Sequence, residues 1–251
     1  MSAAYDNYNY SRYWTKRDYE HESERIVITD FIKQIKSPKR IIDIGCGFGR
    51  LVQVYGKYVQ KITLVDPSKE LLKEAKSNYP KDKRISYIKS TVQDLPKNIK
   101  KGSHDLAICV RVFHHVDDLD QSIANINHCL DKKGYLILEF ANKLHGKAVF
   151  KNFLKGNLTF PLEIHSVDRR SKKNIKNQSI LFLNHHPDVI KNSLEKNGFK
   201  ILEKRSVSNF RLGFFKNFVP LSFLLLLEDR SQKFLSRFNF GPSVFILAKK
   251  N

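Results

Sequence analysis

Acidic residues are scarce in this chain: 25 Asp and Glu stand against 45 Lys and Arg, a formal net charge of +20 over 251 residues. Cysteine is scarcer still. Cys46, Cys109 and Cys129 are odd in number and show no CxxC spacing, which excludes a disulfide framework or thiolate zinc site and fits reduced thiols in a cytoplasmic protein. Long apolar runs are also missing. The best candidate, 219–227, is interrupted by Pro220 and Ser222 and falls far short of the roughly 18 residues a spanning helix needs. The N-terminus carries Tyr, Asn and Asp where a secretory leader would be apolar, so neither export nor membrane spanning is expected. With 41% hydrophobic residues the chain is still rich enough to build a core, as one large α/β domain or two small ones. The basic surplus permits contact with nucleic acid or anionic lipid and requires neither.

Short apolar runs alternate with segments of helical period. The runs 40–44, 61–66, 85–90, 105–110 and 134–140 read as buried parallel strands. Between them, 51–58, 69–78 and 120–130 read as helices, and a further helix begins near Glu22 with Ile26, Val27, Phe31 and Ile35 on one face. The alternation predicts an α/β fold with a doubly wound, mostly parallel sheet and right-handed crossovers. Beyond Phe140 the rhythm stops for about forty residues. The stretch 143–176 holds nine Lys or Arg against Glu163 and Asp168, and a connection this long is normally a lid or binding loop. A helix at 187–198 and strands at 199–208 and 243–250 complete the sheet, with an apolar, basic-flanked insertion at 210–240 between them. This divides the chain into N-terminal cap helices over 1–36 and a main domain over 37–251.

The first strand ends in IIDIGCGFGR, which sets Asp43, Gly45, Gly47 and Gly49 where a strand opens into a helix. Glycines there allow a tight turn and close approach of backbone to a ligand. Asp66, seventeen residues past Gly49, closes the second strand at the position where an acid holds a nucleotide ribose. A dinucleotide fingerprint would need a third glycine at position 50, where Arg50 stands.

With its GxGxG loop preceded by an acid, the sequence resembles the class I methyltransferases that use S-adenosylmethionine, from about Arg40 to Phe140 and more loosely to the C-terminus. The resemblance implies a seven-stranded Rossmann-like sheet and S-adenosylmethionine as cofactor. It assigns Gly45, Gly47 and Gly49 to the methionine side of the cofactor, Asp43 to orienting the loop, Asp66 to the ribose hydroxyls and Pro67 to the adenine surroundings. STVQDLP is similar to the family's acid-x-x-acid-Leu-Pro segment, with Thr91 in place of the first acid, so Thr91 and the Val92 backbone fall at the adenine. HDLAICVRVFHHVDD matches the family's fourth strand and the start of the element after it. There the Arg111 carbonyl is expected to face the cofactor, its side chain to be available to an anionic substrate, and His114 or His115 to serve as a base. Methyl transfer from a sulfonium needs no metal, and neither His pair has ligand spacing, so no metal is expected. The motifs of base-amino and base-carbon methylation, Asn/Asp-Pro-Pro-aromatic and Pro-Cys, are absent.

Two regions are expected to choose the acceptor. Tyr13, Trp14, Arg17 and Tyr19 precede the first strand, where similar enzymes fold a helix over the site. In 210–240, Phe214, Phe215, Phe218, Leu221 and Leu225 fall near one helical face and suggest a lid, shallow membrane docking, or a buried helix. The leading expectation is a methyltransferase for a small hydrophobic or carboxylate-bearing molecule, of the broad group that includes quinone-biosynthesis enzymes. The alternatives are an RNA methyltransferase, and a non-catalytic cofactor-fold protein docking on a partner or membrane.

Overall fold

The computed structural model describes residues 10–251 apart from 36–37, 178, 212 and 214–217, so Phe214 and Phe215 lie outside the described residues. Seven strands form one sheet: β1 (Arg40–Ile44), β2 (Lys61–Asp66), β3 (Ile85–Lys89), β4 (His104–Cys109), β5 (Leu130–Ala141), β8 (Phe199–Val207) and β9 (Ser243–Lys250), in the order β3-β2-β1-β4-β5-β9-β8. Only β9 runs antiparallel to its neighbours, so the sheet is mostly parallel and doubly wound. Every central strand is buried on both faces, which is why it reads as a continuous apolar run. The strand order reverses at β1 and β4, and the carboxyl ends of those strands are where ligands enter such sheets.

Two cores flank the sheet. On one side α2 (Asp18–Gln34) sends Val27, Ile28, Phe31 and Ile32 against Ile41, Val54, Tyr55 and Leu64. The segment 1–36, expected as a cap, thus contributes a full helix to the main core. The other side joins α6 (Leu119–Cys129) and α9 (Pro187–Lys196) through Ile123, Ile126, Ile190 and Leu194 to Ala107, Leu136 and Ile246. The helix α4 (Lys69–Asn78) begins with Ser68, whose hydroxyl caps Leu71 N–H at 3.2 Å.

The long insertion is not featureless. It contains α7 (Gly146–Phe153), a short α8 (Lys172–Lys176), and a ribbon pairing β6 (Val167–Asp168) with β7 (Leu183–Asn184). Two-residue strands are too short to leave a period in the sequence.

The 210–240 insertion, open in sequence between a lid, membrane docking and a buried helix, forms a helix on the flank of the sheet. Its helix α10 (Leu221–Leu235) packs on α2 and β8, burying Leu224, Glu228 and Gln232 while Phe223, Leu226 and Leu227 face outward. Glu228 accepts hydrogen bonds from Tyr19 Oη (2.6 Å) and from the backbone N–H groups of Ser208 (2.7 Å) and Asn209 (3.0 Å), and Gln232 donates to the Ser23 carbonyl. Those buried donors need an acceptor, so a polar stripe and not the apolar one turns inward. No helix of the described residues is long and apolar enough to cross a membrane.

Candidate active site

The loop after β1 is shaped by its glycines. Gly45, with φ +72°, adopts a conformation that side chains avoid, and a Cβ there would overlap Val112. Gly47 N–H donates to Asp66 Oδ2 at 2.9 Å, and Ser68 N–H donates to Oδ1 at 2.8 Å. These bonds orient a buried carboxylate at the end of β2. Gly49 has another purpose. A Cβ there would meet the Tyr79 ring at 3.0 Å, so it lets the loop pack against α4 and lines no cavity wall.

A cavity of about 340 Å³ opens above this loop, walled by Gly45, Gly47, Asp66, Pro67, Thr91 and Val92 among others. Asp43 lies beneath it and is absent from its walls. Its carboxylate accepts from Tyr55 Oη at 2.7 Å, and burial pushes its pKa up to about 7 against the opposing pull of that bond and of Arg50. Thr91 Oγ1 donates to Asp94 Oδ2 at 2.8 Å and accepts from Asp94 N–H at 3.2 Å, so Asp94 serves the turn.

Arg111 is in the left-handed region at φ +64°. Its N–H is held by Glu139 Oε2 at 2.8 Å. Its guanidinium does not reach out as expected: Glu24 of α2, fully buried, accepts from Arg111 Nε (2.7 Å) and from Arg50 Nη2 (2.6 Å). Burial raises the Glu24 pKa, but Arg111 and Arg50 outweigh that and hold it below the ordinary carboxylate value. The Trp14 ring closes this cluster, with the Arg50 guanidinium 3.6 Å from its centre. Sequence reasoning missed Glu24, although an acid one turn before Val27 and Ile28 on the buried face of a helix is a signal.

A second chamber of about 1080 Å³ adjoins the first. Arg111, His115 and Ile180 line both. His115 Nδ1 lies 2.6 Å from the Leu181 carbonyl, which can only accept, so Nδ1 carries the proton and Nε2 is the basic nitrogen. Burial lowers its pKa and keeps the ring neutral near pH 7. His114 stacks between His115 (3.9 Å) and Phe182 (4.5 Å), and burial drives its pKa well down. Of the four N-terminal candidates only Tyr13 lines the chamber, with Arg17 stacked 4.0 Å over its ring. Trp14 serves the Arg50 cluster. Tyr19 is buried on Glu228 and away from both cavities, because its hydroxyl has to satisfy buried partners between α2 and α10.

Residues 42–138 match the family described as a methyltransferase domain. Among curated proteins, the chain is 27% identical over 144 residues to the ubiquinone biosynthesis O-methyltransferase of Rickettsia typhi, covering 53% of this chain and 57% of that protein. The chain thus spans about half the length of the curated relatives it matches. Among solved structures it is similar to a SAM-dependent methyltransferase of Archaeoglobus fulgidus, with TM-score 0.58 and 18% identity over 96% of this chain and all of that one. The S-adenosylmethionine-dependent methyltransferase of Mesorhizobium loti aligns over 87% of this chain and 95% of its own, with TM-score 0.58 and 16% identity. These proteins share the fold of this chain.

Proposed function

We propose that this class I S-adenosylmethionine-dependent methyltransferase moves a methyl group onto a nucleophilic atom of a small molecule held in the larger chamber. The junction carries the reading: Arg111, His115 and Ile180 wall both cavities, so an acceptor in one meets the cofactor pocket there. S-adenosylmethionine supplies a methyl group already made electrophilic by its sulfonium. The smaller cavity suits that cofactor, since a mostly apolar slot (Pro67, Leu71, Val92, Val112, Val116) carries one oriented carboxylate.

Each residue then has a task. Asp66 holds the ribose hydroxyls through charge-assisted hydrogen bonds. Gly45 and Gly47 receive the methionine portion, and Pro67, Thr91 and Val92 border the adenine. Asp43 supports the loop from below. His115 Nε2 takes the proton that the acceptor loses as its nucleophile is methylated, and the chamber walls align the nucleophile and exclude water. His114 holds the His115 ring in place by stacking. The three buried thiols fit a reducing cytoplasm, which is where we place the protein. The outward apolar side chains of α10 support peripheral contact with a membrane, testable by vesicle flotation.

Calorimetry with S-adenosylmethionine tests the core of the reading. The wild type is expected to bind it at one site, and Asp66→Ala to weaken binding about tenfold to a hundredfold, the loss of about 1.5–3 kcal/mol of charge-assisted hydrogen bonding. Unchanged affinity in a folded variant would refute the ribose assignment.

A further inference from the structure

The larger chamber is far more basic than the chain that builds it. Eight Lys or Arg line it against one carboxylate, Glu139, whereas the chain as a whole has fewer than two bases per acid. Glu139 is already committed to Arg111 N–H and to the Ser243 hydroxyl. Three of the cations have acidic or carbonyl partners: Arg111 with Glu24, Arg170 with Asp168, and Lys143 with Glu163. The other five, Lys147, Lys151, Lys155, Arg169 and Arg211, form no ion pair among the described residues.

Their placement is convergent. Lys147 and Lys151 stand one turn apart on α7, so they share a face, and Lys155 follows in the turn after that helix. Arg169 comes from the end of the β6 ribbon, and Arg211 from beyond β8. Arg211, Arg169 and Lys147 meet around His145, where burial and then these three charges push the imidazole pKa down to about 4. Two hydroxyls add an independent sign of a missing ligand. Ser208 is 1% exposed, adopts φ +62°, and its Oγ has no hydrogen-bond partner among the described residues, as is true of Ser179 Oγ; both residues line the chamber. Buried hydroxyls without partners and backbone in the left-handed region are both rare, and they gather where ligands are clamped.

We infer that the acceptor bound in this chamber is a phosphorylated small molecule, carrying two or more negative charges among the α7 lysines, Arg169 and Arg211. A single carboxylate would leave most of these cations facing one another unneutralised. At physiological salt the screening length is about 8 Å, so charges on one cavity wall act together on a compact oligo-anion. The hydroxyls of Ser208 and Ser179 donate to phosphoryl oxygens. Phe182, whose ring lies 6.1 Å from that of His115, borders the apolar remainder of the molecule. The chamber volume, at the upper end of small-ligand sites, leaves room for both parts. This inference rests on the methyltransferase reading for the word acceptor, but the anion site stands on its own residues.

Inorganic pyrophosphate is the probe. Calorimetry at 0.15 M salt should find one site of submillimolar affinity in the full chain. The triple variant Lys147→Gln/Lys151→Gln/Arg169→Gln should weaken it at least tenfold, and Ser208→Ala severalfold. Lys69→Gln/Lys73→Gln/Lys76→Gln removes the same charge from the exposed face of α4 and should leave affinity within twofold. Equal weakening by both triple variants would mean bulk charge only and would overturn the proposal, as would absence of pyrophosphate binding. Bulk tRNA that binds more tightly, with a steep salt dependence abolished by the chamber triple, would assign the patch to a nucleic-acid backbone instead. Titrating S-adenosylmethionine on the same samples separates the two readings. Cofactor binding without pyrophosphate binding refutes the anion site alone; the reverse refutes the methyltransferase reading and leaves the anion site intact.

Discussion

Glu24→Gln is the substitution that most directly probes how the site is held. The carboxylate is wholly buried, while the Arg50 and Arg111 side chains that contact it are 10% and 20% exposed. Glutamine keeps the shape and removes the charge, leaving two guanidinium groups close together with no anion between them. Breaking a buried pair in this way costs about 3–5 kcal/mol, and the partial exposure of Arg111 places this case near 3. For a domain of this size that is a fall in Tm of about 6–12 °C. Reversible urea unfolding followed by circular dichroism measures it. Glu22→Gln is the control: its carboxylate pairs with the exposed Arg25 on the same helix, and its loss should cost less than about 0.5 kcal/mol. The folded-state pKa of Glu24 is depressed, so its contribution is present above the ordinary value of 4.5 and lost as pH falls through the folded value; wild type and variant should converge there. Arg111 N–H stays on Glu139, so the loop should keep its path and cofactor affinity fall by no more than about tenfold. A Glu24→Gln variant within 1 kcal/mol of wild type at pH 7 would refute the reasoning.

Asp43 makes the opposite pH statement. Its folded pKa is raised from 3.8 to about 7, so the folded state holds the proton more tightly, and stability declines as pH rises between those values by up to roughly 4 kcal/mol. Asp43→Asn should therefore be more stable than wild type at pH 8 and similar at pH 4; parallel pH–stability curves would refute this. Gly45→Ala should cost about 2 kcal/mol or more through its positive φ and the overlap with Val112, and weaken cofactor binding at least tenfold by calorimetry. His115→Gln should cut turnover about a hundredfold with cofactor affinity within threefold, and the wild type should lose turnover only below about pH 6.5, since burial lowers this pKa.

The sheet was legible because parallel strands buried on both faces print as apolar runs, and because the loop after β1 needs glycine for reasons that no other residue meets. The buried acids were not. Glu24 and Arg111 are 87 positions apart, and Glu228 and Tyr19 are 209 apart, so neither pair leaves a local pattern. Each acid nonetheless sits where its element should be apolar: Glu24 on the inner face of α2, Glu139 inside β5, and Glu228 on the buried side of α10. An acid in such a place implies a cationic or donor partner elsewhere. At 210–240 the apolar face read through Phe218 and Leu221 is not the buried one: both stay exposed, while the donors of Ser208 and Asn209 are met by Glu228.

The two cavities draw on different parts of the chain, and that separation has a consequence for specificity. Apart from Ile180, the smaller cavity is built from residues 44–116, all on or following β1, β2, β3 and β4. The chamber is built mainly from 139–211, with five of its eight cations on or beside α7 and the β6–β7 ribbon. Phe150, Phe153 and Leu154 of this region remain more than half exposed, so little apolar burial fixes it. Substitutions there can change what the chamber holds at small cost to folding, whereas any change at Gly45 or Asp66 acts on the sheet edge itself. On the proposed function, charge on α7 and the β6 ribbon selects the acceptor, and the loop after β1 is indifferent to it.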